Sequence, residues 1–249
     1  MHYNPYSLQG KIILVTGASS GIGQAIAIES SKLGASIFAT ARNKERLEQT
    51  MTMLEGFGHQ MILADLNNED EIKELVNSLP VINGFSFNTG VACVKPVAFY
   101  KKEDLESVIL TNAISASLLT KTCIKAKKLA VGASLVFMSS IEGPFGTGVG
   151  NGIYGMSKAA LSAFVKTAAL ELASKGIRCN TVNPGMVNTP MIQSGSVPEE
   201  QLNLDMQRYP LGRYGNPQEI AYATIYLLSD ASAWITGTEL KIDGGITLV

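Results

Sequence analysis

The sequence predicts a single-domain α/β protein, a doubly wound parallel sheet of seven strands with helices on both faces. Three observations carry this reading. Short β-branched or apolar runs alternate with helical patterns along the whole chain. The β-branched or apolar character of the strand runs reads as that of buried strands, covered on both faces of a sheet. A glycine-rich turn follows directly on the first of them, where a strand would hand over to a helix. At 249 residues the chain is long enough to bury about three quarters of its unfolded surface. No linker-like stretch divides it, so residues 1–249 read as one domain.

The strands are expected at Lys11–Thr16, Ser36–Thr40, Met61–Ala64, Gly84–Phe87, Ser134–Met138, Arg178–Val182 and Glu239–Ile242. Helical patterns lie between them at Gly21–Leu33, Lys44–Leu54 and Glu69–Ser78. A long stretch from about Glu103 to Leu129 reads as two helices, and Tyr154–Lys175 and Pro217–Ser229 complete the set. Gly143 to Gly155 is glycine-rich but only a loop's length, and reads as a site loop rather than a boundary. Ligands bind outside the carboxyl ends of the strands in such sheets, so the segment after each strand is where chemistry is sought.

Twenty Lys and Arg against 21 Asp and Glu give a formal charge of −1, with the charges scattered. This excludes the basic footprint of a nucleic-acid partner. Met1 to Gly10 carries Pro5 and polar residues where a secretory signal would be apolar, and no run of 18 apolar residues occurs. A cytoplasmic protein without a membrane partner is expected. Cys93, Cys123 and Cys179 show no Cys-x-x-Cys spacing and His2 and His59 lie far apart, so neither a disulfide framework nor a metal site is implied.

The turn after the first strand reads Thr16-Gly17-Ala18-Ser19-Ser20-Gly21-Ile22-Gly23. Glycines there let the backbone approach a pyrophosphate, and the helix amino terminus offers it free N–H groups and a positive dipole end. The spacing is G-x-x-x-G-x-G, and the lack of a following Gly-Lys-Ser/Thr argues against a P-loop. The second strand ends at Thr40-Ala41-Arg42-Asn43, without the carboxylate that would hold a ribose 2′-hydroxyl. Arg42 suits a 2′-phosphate and can stack on adenine, which favours NADP(H) over NAD(H).

Tyr154 and Lys158 are four residues apart, on one face of a helix. The same register continues through Leu161, Val165, Ala168 and Leu172, so Lys158 occupies a core position. An unpartnered lysine there is costly, whereas beside a phenol it can favour the phenolate and lower the tyrosine from its usual value of about 10. A tuned proton donor is the use this arrangement suggests.

These motifs, in order and at this spacing, resemble the short-chain dehydrogenase/reductase family over essentially the whole chain, which implies a Rossmann fold. Further segments carry the resemblance: Asp65-Leu66, whose aspartate would contact adenine; Asn88-Thr89-Gly90; Asn183-Pro184-Gly185 through Val187 to Thr189, around the nicotinamide carboxamide; and Asp243-Gly244-Gly245. Phe87 and Thr89 depart from the family's commonest form. The resemblance implies a catalytic tetrad of Asn112, Ser140, Tyr154 and Lys158, with Asn112 holding a water, Ser140 orienting the substrate carbonyl and Ser139 structural. It implies cofactor contacts from Gly17, Ser19, Ser20, Gly21, Ile22, Gly23, Arg42, Asp65, Leu66, Asn88, Gly90, Tyr154, Lys158, Pro184, Gly185, Val187 and Thr189. Hydride would pass between nicotinamide and a carbonyl carbon while Tyr154 protonates the oxygen.

The substrate would lie under Met186 to about Pro210, with Met191, Ile192, Val197, Leu202, Leu204 and Met206, and against Ile141–Ile153. These side chains suit a carbonyl on an apolar or acyl-chain substrate. The general look is nearest the 3-oxoacyl-[acyl-carrier-protein] reductases, and Lys127, Lys128 and Lys175 are candidates for docking an acidic carrier. A reductase of another ketone (sugar, steroid or polyketide-like) and a non-catalytic NADP-binding regulator are the alternatives. The family's habit and the apolar carboxyl end, Gly244 to Val249, suggest a homotetramer or a dimer.

Overall fold

In the computed structural model the structure describes residues 4–193 and 199–249. Seven strands, β1 (Ile12–Thr16), β2 (Ser36–Ala41), β3 (Gln60–Leu63), β4 (Ile82–Phe87), β5 (Leu129–Met138), β6 (Arg178–Pro184) and β7 (Glu239–Ile242), form one sheet in the order β3-β2-β1-β4-β5-β6-β7, parallel throughout. The chain begins at the centre, winds outward to β3, then returns past β1 to β4 and winds the other way. The crevice between the carboxyl ends of β1 and β4 is therefore the switch point at which such a sheet binds ligands.

Helices cover both faces. On one lie α1 (Gly21–Lys32), α2 (Lys44–Thr52) and a later helix, Pro217–Leu228; on the other lie α3 (Glu69–Ser78), α4 (Lys102–Ile109), α5 (Ser115–Lys125) and α6 (Gly152–Leu172). Each strand divides its side chains between two cores: Leu135 and Phe137 point to the α3–α5–α6 side, and Val136 and Met138 to the other. Phe137 meets Phe85 and Phe164 edge to face, with ring centres 5.3 and 6.1 Å apart. Two short helices, α7 (Pro190–Gln193) and α8 (Glu199–Met206), stand over the carboxyl edge before α9 (Pro217–Leu228). Val197 of the expected substrate cover lies outside the described residues.

Several boundaries shift by one or two residues from the sequence reading, and three differences bear on the site. The two helices expected within Glu103–Leu129 are one rod, because α4 passes into α5 through a π-helical turn, Leu110–Ile114, with no break. The stretch Lys102–Lys125 thereby reaches the length and hydropathy of a membrane span, yet half of it is buried in the fold. β5 starts at Leu129 rather than Ser134: Gly132, at φ +76°, interrupts the apolar run, but Leu129 still pairs with Ile82. α6 starts at Gly152, since the Gly155 N–H already bonds the Asn151 carbonyl at 2.7 Å.

Candidate active site

The glycine turn is assembled by close backbone contact. Gly17 and Gly21 have φ of +62° and +56°, in the left-handed region where a side chain is strained. A Cβ on Gly23 would lie 2.3 Å from the Gly17 carbonyl oxygen, so only glycine allows α1 to start this close to the strand. The Thr16 hydroxyl accepts from the N–H groups of Asn88 and Thr89 at 3.0 and 3.2 Å, and Asn88 Nδ2 returns a bond to the Thr16 carbonyl at 3.1 Å. The ends of β1 and β4 are thus locked together on either side of the crevice.

This turn fits a dinucleotide. Ser20 is the N-cap of α1 but makes no side-chain cap, which leaves the first-turn N–H groups, from Gly21 to Gly23, to an external acceptor. At the end of β2, whose Thr40 carbonyl accepts from Ala18 N at 3.2 Å, the Thr40 hydroxyl is buried without a partner. Ser19 and Ile22 lie half-buried in the turn. The Gly21 Cβ position is 3.3 Å from the Thr189 side chain, so Thr189, from the segment after β6, closes over the same turn. Arg42 is two-thirds exposed and its guanidinium is 3.8 Å from the Asp65 carboxylate. The Asp65 N–H donates to the Glu71 carboxylate at 2.7 Å, while Leu66 is buried in the core.

The second half of the site lies at the carboxyl end of β5. Lys158 is buried, and its ammonium donates to the Met138 carbonyl at 2.7 Å while standing 5.6 Å from the centre of the Tyr154 ring. Asn112 sits in the π turn, fully buried. Its Oδ1 accepts from Val91 N at 2.8 Å, and its Nδ2 donates to the Val91 carbonyl and the Ser157 hydroxyl, both at 2.9 Å. Both amide hydrogens are spent on the protein, so water has only Oδ1's second lone pair or the backbone to bind. A Cβ on Gly90 would be 3.3 Å from Asn112 Oδ1 and 3.4 Å from Lys158 Nζ, which places these three residues together. Asn183 Nδ2 donates to the Ser140 carbonyl at 2.9 Å and fixes the β5 end against the β6 end. Ser139 turns the other way, bonding Ser162 at 3.0 Å.

The electrostatics correct one expectation. Tyr154 stands above the usual tyrosine range, because burial outweighs the hydrogen bonding from the Ser140 hydroxyl that favours the phenolate, and the Glu142 carboxylate pushes in the same direction as burial. Burial also brings Lys158 down to about 8. The lysine lies over the ring rather than against the hydroxyl, so it does not pull the phenol down in the protein alone.

The remaining candidates fall where the crevice closes. Pro184 ends β6, and the Gly185 N–H bonds the Ile242 carbonyl at 2.9 Å. Val187 is buried and bridges to Gly215. The covering segment is clamped by two tyrosines: Tyr209 accepts from Met186 N at 3.1 Å, and Tyr214 donates to Asp205 at 2.9 Å. Leu202 and Met206 are half-buried while Leu204 is exposed. Sequence reasoning missed Thr16, Ser157 and Glu142; a small polar residue inside an otherwise apolar helix stripe was the available signal for Ser157.

The three lysines considered for carrier docking are not near this site. Lys127 and Lys128 precede β5 and Lys175 precedes β6, at the amino ends of the strands, about 30 Å from the carboxyl end of the ten-residue β5. Lys128 moreover bonds the carbonyls of Asn77 and Leu79. Among the described residues no group of His, Cys, Asp and Glu is placed to hold a metal ion.

A dinucleotide-type crevice beside a half-buried tyrosine and a buried lysine defines an oxidoreductase, and comparison with known proteins gives the same class. The chain belongs to the short-chain dehydrogenase/reductase family: residues 17–247 match a family model described as enoyl-(acyl carrier protein) reductase. Among its relatives, 3-oxoacyl-[acyl-carrier-protein] reductase FabG of Thermotoga maritima is 33% identical over 247 residues, covering 97% of this chain and 99% of that protein. A tropinone reductase homolog of Arabidopsis thaliana, At1g07440, is 33% identical over 250 residues, covering 98% and 93%. A short-chain type dehydrogenase/reductase from Mycobacterium marinum superposes with a TM-score of 0.91 at 28% identity, covering 98% of both chains.

Proposed function

We propose that this chain is an NADP(H)-dependent oxidoreductase that interconverts a ketone and a secondary alcohol, the whole span acting as one catalytic domain. The observation that carries this is the convergence, at the carboxyl ends of β4 and β5, of the Tyr154 hydroxyl, the Ser140 hydroxyl and the buried Lys158 ammonium beside a glycine turn with free N–H groups. When bound, the nicotinamide supplies or accepts the hydride.

The chain's own residues do the rest. Tyr154, protonated because burial holds it above the usual range, gives its proton to the carbonyl oxygen. Ser140 donates a hydrogen bond to that oxygen and orients it. Lys158 places positive charge under the ring and is near enough to Gly90 to reach a ribose over the crevice. Asn112 anchors the Val91 backbone and Ser157, and so sets the wall opposite Tyr154. Arg42 would take the 2′-phosphate: its only carboxylate neighbour among the described residues is 3.8 Å away and both are solvent-exposed, so the guanidinium is available.

The substrate we favour is a free, largely apolar ketone. Half-buried Ile192, Leu202 and Met206 form its cover, and the lysines that might have docked an acidic carrier sit at the other end of the sheet. A 3-oxoacyl thioester is the second reading, supported by the Thermotoga relative. We also read the protein as a cytoplasmic homotetramer. An apolar groove of about 450 Å³ between α5 and α6, with Ile124, Phe164 and Leu172 in its walls, and the exposed Leu170, Leu248 and Val249, support association.

The test is oxidation of NADPH or NADH at 340 nm with acetoacetyl thioesters, free β-keto esters, cyclic and steroid ketones, and keto-sugars. Turnover of any ketone with NADPH is expected. Inertness across the panel with intact NADPH binding would favour a nucleotide-binding regulator instead.

A further inference from the structure

The loop after β5 holds a carboxylate that the reaction as proposed does not use. Glu142 lies two residues beyond Ser140, so their Cα atoms are at most about 7 Å apart. Its N–H donates to the Ser140 hydroxyl at 3.1 Å. Its two carboxylate oxygens accept from the Gly148 N–H at 3.0 Å and Asn151 Nδ2 at 3.1 Å, across the loop. Its charge is felt at the Tyr154 hydroxyl.

Glu142 is only half-exposed, yet among the described residues no Lys, Arg or His nitrogen comes within 4 Å of it. The nearby cations are engaged elsewhere: Lys158 with the Met138 carbonyl, and Lys241, over the Phe145 ring of the same loop, with Thr247 at 2.6 Å. A partly desolvated carboxylate held by two neutral donors keeps most of its charge for a third partner. The loop's other work, closing residues 142–151 on themselves, needs acceptors rather than a charge: a neutral amide keeps one of them, for the Gly148 N–H, and gives up the bond from Asn151.

We propose that Glu142 is a specificity residue: its carboxylate, fixed by Gly148 and Asn151 beside Ser140 and Tyr154, recognises a ketone that carries a cationic group and disfavours one that carries a carboxylate. This rests on the ketone-reductase reading of the same site. It narrows the substrate class to ketones with an amine or quaternary ammonium on an otherwise apolar frame.

The test uses three methyl ketones of equal chain length, ending in trimethylammonium, tert-butyl or carboxylate. Their Kd values are measured by calorimetry on the wild-type protein loaded with NADP+, which cannot reduce them, and their kcat/KM values with NADPH. The expected order is cationic tighter than neutral, and neutral tighter than anionic, with about a five- to tenfold step each. In Glu142→Gln, which keeps an acceptor for Gly148, the order collapses to within about twofold when each ketone is read as a ratio to the tert-butyl ketone in the same protein, so that any common change in rate from the altered charge beside Tyr154 cancels. An unaltered order in Glu142→Gln, no order in the wild type, or equal weakening of all three ketones would overturn the assignment. Charge-ordered binding without turnover would overturn the reductase reading and leave Glu142's role standing. Turnover with no charge order would do the reverse.

Discussion

Lys158 reaches from α6 to the last residue of β5: its ammonium donates to the Met138 carbonyl at 2.7 Å, in a site where burial has brought the lysine down to about 8. A strand end rather than a carboxylate therefore holds this cation, and the arrangement has a cost in stability. In the unfolded chain the lysine binds its proton more tightly than in the fold. The penalty is thus complete below about pH 8 and is relieved as pH rises from about 8 toward 10.5.

Lys158→Met removes that penalty, about 3 kcal/mol at most, and leaves the Met138 carbonyl unpaired, at about 1–3 kcal/mol. The cofactor-free variant should be as stable as the wild type or slightly more so at pH 7, and should lose ground to it between pH 8 and 10. Urea unfolding at pH 7, 9 and 10 reads this directly. A loss of more than about 2 kcal/mol at pH 7 would show that the buried charge is stabilising.

Tyr154→Phe should lower turnover by about 10²–10⁴ while NADPH binding changes less than threefold, because the hydroxyl serves proton transfer and the ring alone faces Lys158. Steady-state kinetics alongside fluorescence titration of NADPH separates the two. A matching loss of cofactor affinity would place Tyr154 in binding instead.

Arg42→Ala should reduce the kcat/KM ratio of NADPH over NADH by about tenfold or more, as expected when a charge-assisted bond to a phosphate is lost. The melting temperature should stay within about 1 °C, since the exposed 3.8 Å pair with Asp65 contributes little. An unchanged ratio would assign 2′-phosphate recognition elsewhere.

Two glycines of the loop after β5 make a matched pair. Gly143 has φ +92° and a Cβ there would be 2.1 Å from the Gly155 carbonyl oxygen, whereas a Cβ on Gly146 meets nothing within 4 Å. Gly143→Ala should cost about 2–4 kcal/mol and displace the head of α6, with activity falling along with stability; Gly146→Ala should be neutral to within about 0.5 kcal/mol. Denaturant melts of the two variants decide it, and equal effects would mean the loop is not pinned at Gly143.

Much of the fold was legible in the sequence because it rests on short-range physics. Leu161, Val165, Ala168 and Leu172 recur at the helical period and are all buried. The glycine turn reported its own geometry through positions where a Cβ cannot fit. The π turn at Leu110–Ile114 left no trace, since its residues fit an ordinary helix equally well and the insertion shows only in the hydrogen-bond register. Tyr154's direction was misread for a different reason: spacing places Lys158 near the ring, but desolvation depends on everything packed around the hydroxyl. Lys127, Lys128 and Lys175 were grouped by charge, and only strand direction shows that they lie at the far end of the sheet.

The sequence by itself determined the alternation of strands and helices, the glycine turn and the pairing of Tyr154 with Lys158, because each is set by residues within one or two turns of one another. The tertiary structure decided that Val91 and Ser157 spend both Asn112 hydrogens, that Met138 holds Lys158, and that Glu142 stands beside Ser140 with no cation within 4 Å among the described residues. Such contacts join segments tens of residues apart, and they exist only once the parallel crossovers bring the carboxyl ends of β4, β5 and β6 to one edge.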